Sequence, residues 1–357
     1  MTIKRAFNKF VLSVITLVLV VFALGTSTFA WFSLSDMNEV SDINITVGGG
    51  EELELSLNGK DYYSVLPANL LMSYIKGQNG DKEVSLRPVT SPDGRTIKNL
   101  NGDVLKTTED GMNVYFLKLR VYFRANDVND SMAETYGLGV YLDDYNYDVT
   151  FKDADDAGGT YIISKGIKAR AEVDFTDYDV ATGEPIDIHS TDVVTKYASD
   201  AVRVAFYDNQ YSFYGSQDLA TKYYDLSYRN RQELYNYGYG YGYSNTLEDL
   251  KGAASFYYEK TKTMLNLPEE LTVPVYHPSN GFSTFGEADE ALFADNTNGF
   301  ICYLTPTDVG KYEGYVTMLI WLEGYDPDCY NVIANDEIVM SLKFKLGYRE
   351  NKETKSN

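Results

Sequence analysis

Cysteine, histidine and tryptophan are scarce in this chain, with two of each among 357 residues. Two cysteines cannot build the disulfide framework of a small secreted scaffold, so a hydrophobic core must hold the fold. Cys302 and Cys329 could form one bridge, or they could be two buried thiols. His189 and His277 lie far apart and neither sits in H-E-x-x-H, which excludes a helical zincin site. The G-x-S-x-G and P-loop patterns are absent as well. A Ser–His–Asp set or a carboxylate pair assembled in space leaves no local mark, and no residue is singled out for either. Neither enzyme activity nor a cofactor is expected. Basic residues are outnumbered, with 31 Lys and Arg against 52 Asp and Glu, for a formal net charge of −21. Nucleic acid needs a basic surface for its phosphates, so it is excluded as a partner.

What the chain does have begins at its N-terminus. Lys4, Arg5 and Lys9, with no acid among them, precede an apolar run from Phe10 to Leu24 interrupted by Ser13 and Thr16. Small residues at Thr28 and Ala30 then fit a signal peptidase, which places the cut between Ala30 and Trp31. Residues 1–30 therefore read as a signal peptide and the mature chain as a secreted, extracellular or cell-surface protein. Retained, the same segment would be an anchor and the chain's one contact with a membrane, although its apolar core is shorter than the ~20 residues a spanning helix needs. The C-terminus shows no LPxTG-like sorting signal, no cysteine follows the leader, and residues 348–357 form a polar tail.

The body of the chain reads as strands. Ile43, Ile45 and Val47 alternate with polar residues, and after Gly48–Gly50 the alternation resumes at Leu53, Leu55 and Leu57. Further strands are expected over Val114–Phe123, Gly139–Phe151, Thr160–Ser164, Ile167–Phe175, Ala201–Tyr207, Leu271–Tyr276 and Gly299–Leu304. Tyr315–Leu322 and Glu337–Leu346 are long and strongly apolar, which places them centrally in a sheet. With turn signals between the runs, the fold class is mainly β: a jelly-roll-like antiparallel β-sandwich over residues 31–209 and 299–347. Residues 210–298 read as a Tyr-rich, partly helical insertion. A helix is expected from Thr246 to its stop at Pro268, and a shorter one over Glu287–Ala294. Tyr235, Tyr237, Tyr239, Tyr241 and Tyr243 alternate, largely with glycine. On an extended segment their rings share one side, which suits glycans, adhesion or subunit contacts; the other reading is an aromatic–glycine loop.

Two acidic clusters are candidates for a metal, and Ca2+ is the ion they would take. Asp153 and Asp155 lie in DADDAGG, but an EF-hand register starting at Asp153 puts Ala157 at the fifth position and Ser164 at the twelfth, so it fails as an EF-hand. Glu323, Asp326 and Asp328 lie in IWLEGYDPDC, where Asp326 and Asp328 flank Pro327 as in a turn. That stretch is either a structural corner or three ligands.

The leader boundary GTSTFAWFSLSDMNEV, Gly25 to Val40, resembles that of TasA and camelysin-like secreted proteins, in which an aromatic pair follows a small-residue cut. The stretch IWLEGYDPDCYNVI, Ile320 to Ile333, with the strand behind it, is similar to uncharacterised secreted proteins with this leader type. The resemblance implies a jelly-roll subunit of a surface or biofilm-matrix fibre, in which the N-terminal segment of one copy completes the sheet of the next. Here that segment would use Trp31, Phe32, Ile43, Ile45 and Val47. Its partners would be further copies of itself or other surface proteins. The alternative is that the segment is the first strand of its own domain. A second functional reading is an adhesin or carbohydrate-binding module that uses the Tyr-rich insertion.

Overall fold

The computed structural model describes residues 38–47, 53–78, 85–106, 115–146, 148–179, 184–207, 221–227, 246–277, 285–288, 291–294, 299–329 and 333–349. The protein is mainly β, with two sheets packed face to face. The first sheet is built on Glu337–Arg349. On one side Asn38–Val47 runs parallel to it, from Glu39 opposite Glu337 to Val47 opposite Phe344, with an irregularity between Val40 and Asp42. Tyr161–Ser164 and Leu138–Asp143 pair with it antiparallel, and Phe300–Tyr303 pairs with Leu138–Asp143.

The second sheet is built on Lys311–Glu323, flanked antiparallel by Phe116–Ala125 and Val202–Tyr207. Leu53–Ser56 extends it beyond Phe116–Ala125, and Lys222–Asp225 extends it beyond Val202–Tyr207. The burial of Phe116–Ala125 explains why it forms a strand. Leu117, Leu119, Val121, Phe123 and Ala125 are buried, while Lys118 and Arg120 between them are exposed, which is the period-2 signature of a strand with one dry face.

Between the sheets Phe344 meets Phe123 edge-on at 5.2 Å and Phe206 at 6.0 Å. Each such side chain gains roughly 1.5–3 kcal/mol from leaving water. Ile45, Leu119, Val121, Met318, Ile320, Met340 and Leu342 complete the same core. A smaller cluster around Trp321, Tyr223, Phe116 and Val89 packs beside it.

The sandwich expectation is met, and the long strands fall where the apolar runs placed them. Three details differ. The segment 210–298 is woven into the sandwich: Lys222–Asp225 and Val275–Tyr276 join the second sheet, and Ala291–Ala294 pairs with the end of Glu337–Arg349. Its helix is short, Gly252–Thr261 after a 3-10 turn at Leu247–Asp249, and ends at Lys262 with φ +57°. The helix expected over Glu287–Ala294 is instead a hairpin, Phe285–Ala288 against Ala291–Ala294. Pairing with the sheet edge overrides the helical preference of its alanines there. Two helices not anticipated are Ala68–Gln78, which buries Leu71 and Ile75, and Asp130–Tyr136, which Asn129 caps by accepting from the Met132 N–H. Among the described residues no helix is long and apolar enough to cross a membrane.

Candidate functional site

The chemistry of this molecule concentrates where Lys311–Glu323 leaves its sheet. Leu322 and Glu323 pair with Pro88 and Val89, and the Gly324 N–H donates to the Val89 carbonyl at 2.7 Å. The chain then turns: the Asp326 N–H donates to Glu323 O at 3.0 Å and the Cys329 N–H to Asp326 O at 2.9 Å. The helix Gly252–Thr261 docks on this corner through the Ala253 N–H, which donates to Pro327 O at 2.8 Å. Gly252 is required there, because its φ is +55° and a Cβ would lie 2.7 Å from both Pro327 Cβ and Pro327 O.

The carboxylates of Asp177, Asp225, Glu323, Asp326 and Asp328 are buried in and around this turn, together with the cations Lys196 and Arg203. Arg203, fully buried, places Nη2 2.5 Å from Asp326 Oδ2 and 3.3 Å from Asp225 Oδ2. Its Nη1 donates to the carbonyls of Asp200 and Val202, both at 3.1 Å. Burial pulls the guanidinium pKa down, but Asp225 and Asp326 outweigh that, and the net direction is up. Burial pushes the Asp326 carboxyl up and the neighbouring Asp328 adds to this, while Arg203 pulls it back.

Lys196 forms the second centre, with Nζ 2.6 Å from Asp328 Oδ1 and 2.9 Å from Asp177 Oδ2. Burial raises the Asp177 pKa, against the pull of Lys196 and with a further push from Asp328. Glu323 stands apart from both cations in contact. Its Oε2 accepts from Trp321 Nε1–H and its Oε1 from the Tyr325 N–H, each at 3.1 Å. Burial pushes its pKa up to about 7.

The metal candidates Glu323, Asp326 and Asp328 therefore face three different partners: an indole and an amide, an arginine, and a lysine. Among the described residues no group of three or more His, Cys, Asp and Glu is arranged to hold a metal ion. The geometry at this corner is that of a structural turn. Asp153 is exposed on the 3-10 turn Phe151–Asp156, where its Oδ2 accepts from Thr150 Oγ1–H at 2.5 Å. The side chain of Asp155 lies outside the described residues.

Cys302 and Cys329 are free, buried thiols, the second of the two readings that the sequence left open. One sits in the strand Phe300–Tyr303 and the other in the corner, and both pack as small apolar side chains in the main core. Burial pushes both thiol pKa values up, so neither is a reactive thiolate.

Of the assembly residues, Ile43, Ile45 and Val47 lie on the paired strand Asn38–Val47, opposite Met340, Leu342 and Phe344, and Ile45 is fully buried. The cleavage and assembly positions Ala30, Trp31 and Phe32, and the ligand-contact candidates Tyr235, Tyr237, Tyr239, Tyr241 and Tyr243, lie outside the described residues. Sequence reasoning missed Arg203, Lys196 and Asp177. A cation inside an apolar strand was the available signal for Arg203, in VRVAFY.

No family model, no curated protein and no solved structure matches this chain. Fold and site thus define a class, a mainly-β sandwich with a buried acidic corner braced by one arginine and one lysine.

Proposed function

We propose that this chain is a secreted structural protein of the cell surface or extracellular matrix, a fibre subunit that joins its neighbours through its N-terminal strand. One observation carries the reading. Asn38–Val47 occupies an interior place in its sheet, between Glu337–Arg349 on one side and Val65–Leu66 and Ser85–Leu86 on the other. Its principal partner is the last of the described strands, so tertiary pairing rather than a local hairpin sets its position. The corresponding strand of a second copy can form the same backbone hydrogen bonds and fill the same apolar register. In sequence, Gly48-Gly49-Gly50 follows this strand directly, and glycine has the backbone freedom that a hinge between two such arrangements needs. The export leader and the acidic composition support the extracellular setting.

Light scattering and electron microscopy of the exported protein test this. Assemblies are expected from the wild-type chain and lost on deletion of residues 31–47, and a synthetic 31–47 peptide should bind the shortened chain. Protein that stays strictly monomeric, with and without those residues, would refute strand exchange.

A further inference from the structure

We propose that Lys196 and Asp328 become joined by an intramolecular amide bond, with Asp177 as the acid that assists its formation. The ammonium of Lys196 lies 2.6 Å from Asp328 Oδ1 and 2.9 Å from Asp177 Oδ2. The carboxyl carbon lies one C–O bond beyond Oδ1, so nitrogen and carbon stand on the order of 3.5 Å apart, the separation of a near-attack arrangement. Lys196 is 8% exposed, Asp177 4% and Asp328 1%. Water is therefore largely kept from all three groups, which disfavours hydrolysis of an amide once formed.

The backbone holds the three partners in place. Asp328 is fixed by its own N–H, which donates to Asp326 Oδ1 at 2.8 Å, within a corner that Arg203 clamps. Asp177 sits on the hairpin formed by Phe175–Tyr178 and Pro185–Ile188, and its Oδ1 accepts from the Tyr178 N–H at 2.9 Å. Lys196 ends the antiparallel strand pair Ile167–Arg170 and Val193–Lys196, which brackets that hairpin in sequence. One oxygen of Asp177 is thus held by backbone while the other faces the lysine. Burial pushes the carboxyl of Asp177 up and Asp328 adds to this, against the pull of Lys196.

The step balances without a co-reactant. A proton passes from the Lys196 ammonium to the Asp328 carboxylate, leaving a neutral amine and a neutral carboxyl. The nitrogen lone pair bonds to the carboxyl carbon of Asp328, and the carbonyl π electrons move onto its oxygen, which Asp177 protonates. Asp177 recovers a proton from the nitrogen; one hydroxyl of the resulting diol then leaves as water with the proton of the other, whose oxygen re-forms the carbonyl as the C–OH bond breaks. The products are one secondary amide, one water and the original neutral Asp177. Two-stranded hairpins are marginal by themselves. This bond would tie the two-stranded pair that ends at Lys196 to the sandwich in a chain whose two cysteines are free.

Mass spectrometry of the full chain, denatured and digested after Lys and Arg, provides the test. Expected are a branched peptide joining the Lys196 and Asp328 segments, lighter by one water than their sum, and no cleavage after Lys196. Lys196→Arg should yield only linear peptides. Asp177→Asn should do the same, or accumulate the branch far more slowly, while its circular dichroism stays that of the wild type. Linear wild-type peptides recovered in full would overturn the proposal, as would a water loss that maps to another site such as Asp93-Gly94. A branch at Asp177 would overturn the choice of Asp328 as acceptor. A branch that forms at the wild-type rate in Asp177→Asn would overturn the role given to Asp177. Should either variant fail to fold, the wild-type digest decides alone.

Discussion

Replacing Arg203 with methionine removes a charge that two buried carboxylates share, and the geometry sets the size of the loss. Asp225 Oδ2 and Asp326 Oδ2 both contact Nη2, at 3.3 and 2.5 Å, so they stand at most about 6 Å apart. Left ionised with nothing between them, they repel by about 3 kcal/mol at an effective dielectric constant of about 20. Protonating one of them at neutral pH costs a similar amount, since an aspartate of pKa about 3.9 lies some three units below the solution pH. The carbonyls of Asp200 and Val202 also lose their donor. Arg203→Met is therefore expected to destabilise by about 3–5 kcal/mol, the range for breaking a buried pair from one side.

The loss should depend on pH in one direction. Burial and Asp328 already push the Asp326 carboxyl up, and removing Arg203 takes away the pull against them. Its protonated form then favours folding in the variant, and stability is lost as pH rises through the raised folded pKa. The gap between wild type and variant should accordingly narrow as pH falls from 8 to about 5. Urea titrations of both proteins across that range measure it. A deficit under about 1 kcal/mol, the size of an exposed pair, would refute the reasoning, and so would a gap independent of pH.

Glu323 supplies a second titration. Its folded pKa of about 7 lies above its ordinary value of 4.5. Its contribution is thus fully present below about pH 4.5 and lost as pH rises through 7, by about 3 kcal/mol in all. Glu323→Gln cannot titrate, so stability relative to wild type should improve steadily over that interval; parallel pH curves would contradict the burial argument. For the cysteines, a reducing agent should leave Tm unchanged, and alkylation of Cys302 and Cys329 should follow global unfolding. Rapid labelling of the folded protein would count against their placement in the core.

The architecture was legible where packing and local pattern agree. Leu53 and Leu55 alternate with polar residues, and Lys311–Glu323 and Glu337–Arg349 are too long and apolar to lie anywhere but inside a sheet. The hairpin Phe285–Ala294 was not legible, because Ala288, Ala291 and Ala294 favour helix locally and only the neighbouring Glu337–Arg349 strand makes them extended. The helix Ala68–Gln78 did leave a trace: Pro67 before it, and Leu71 and Ile75 four residues apart. At the corner, Pro327 between two aspartates marked a turn, but the cations that meet them lie 123 and 132 residues away in sequence. No local spacing rule reaches that far, which is why the same acids also read as metal ligands.

The parallel pairing of the first and last described strands has a consequence for timing. A chain is made from its N-terminus, so Asn38–Val47 exists long before Phe344 does. At the usual pace of synthesis the interval is on the order of 15–60 s. Contacts so distant in sequence also form slowly once both partners are present. For that whole period the side of the first strand that faces Glu337–Arg349 lacks its partner, while Val65–Leu66 and Ser85–Leu86 on the other side follow it closely in sequence. The place beside Glu337–Arg349 that this strand fills is therefore among the last parts of its sheet to be completed.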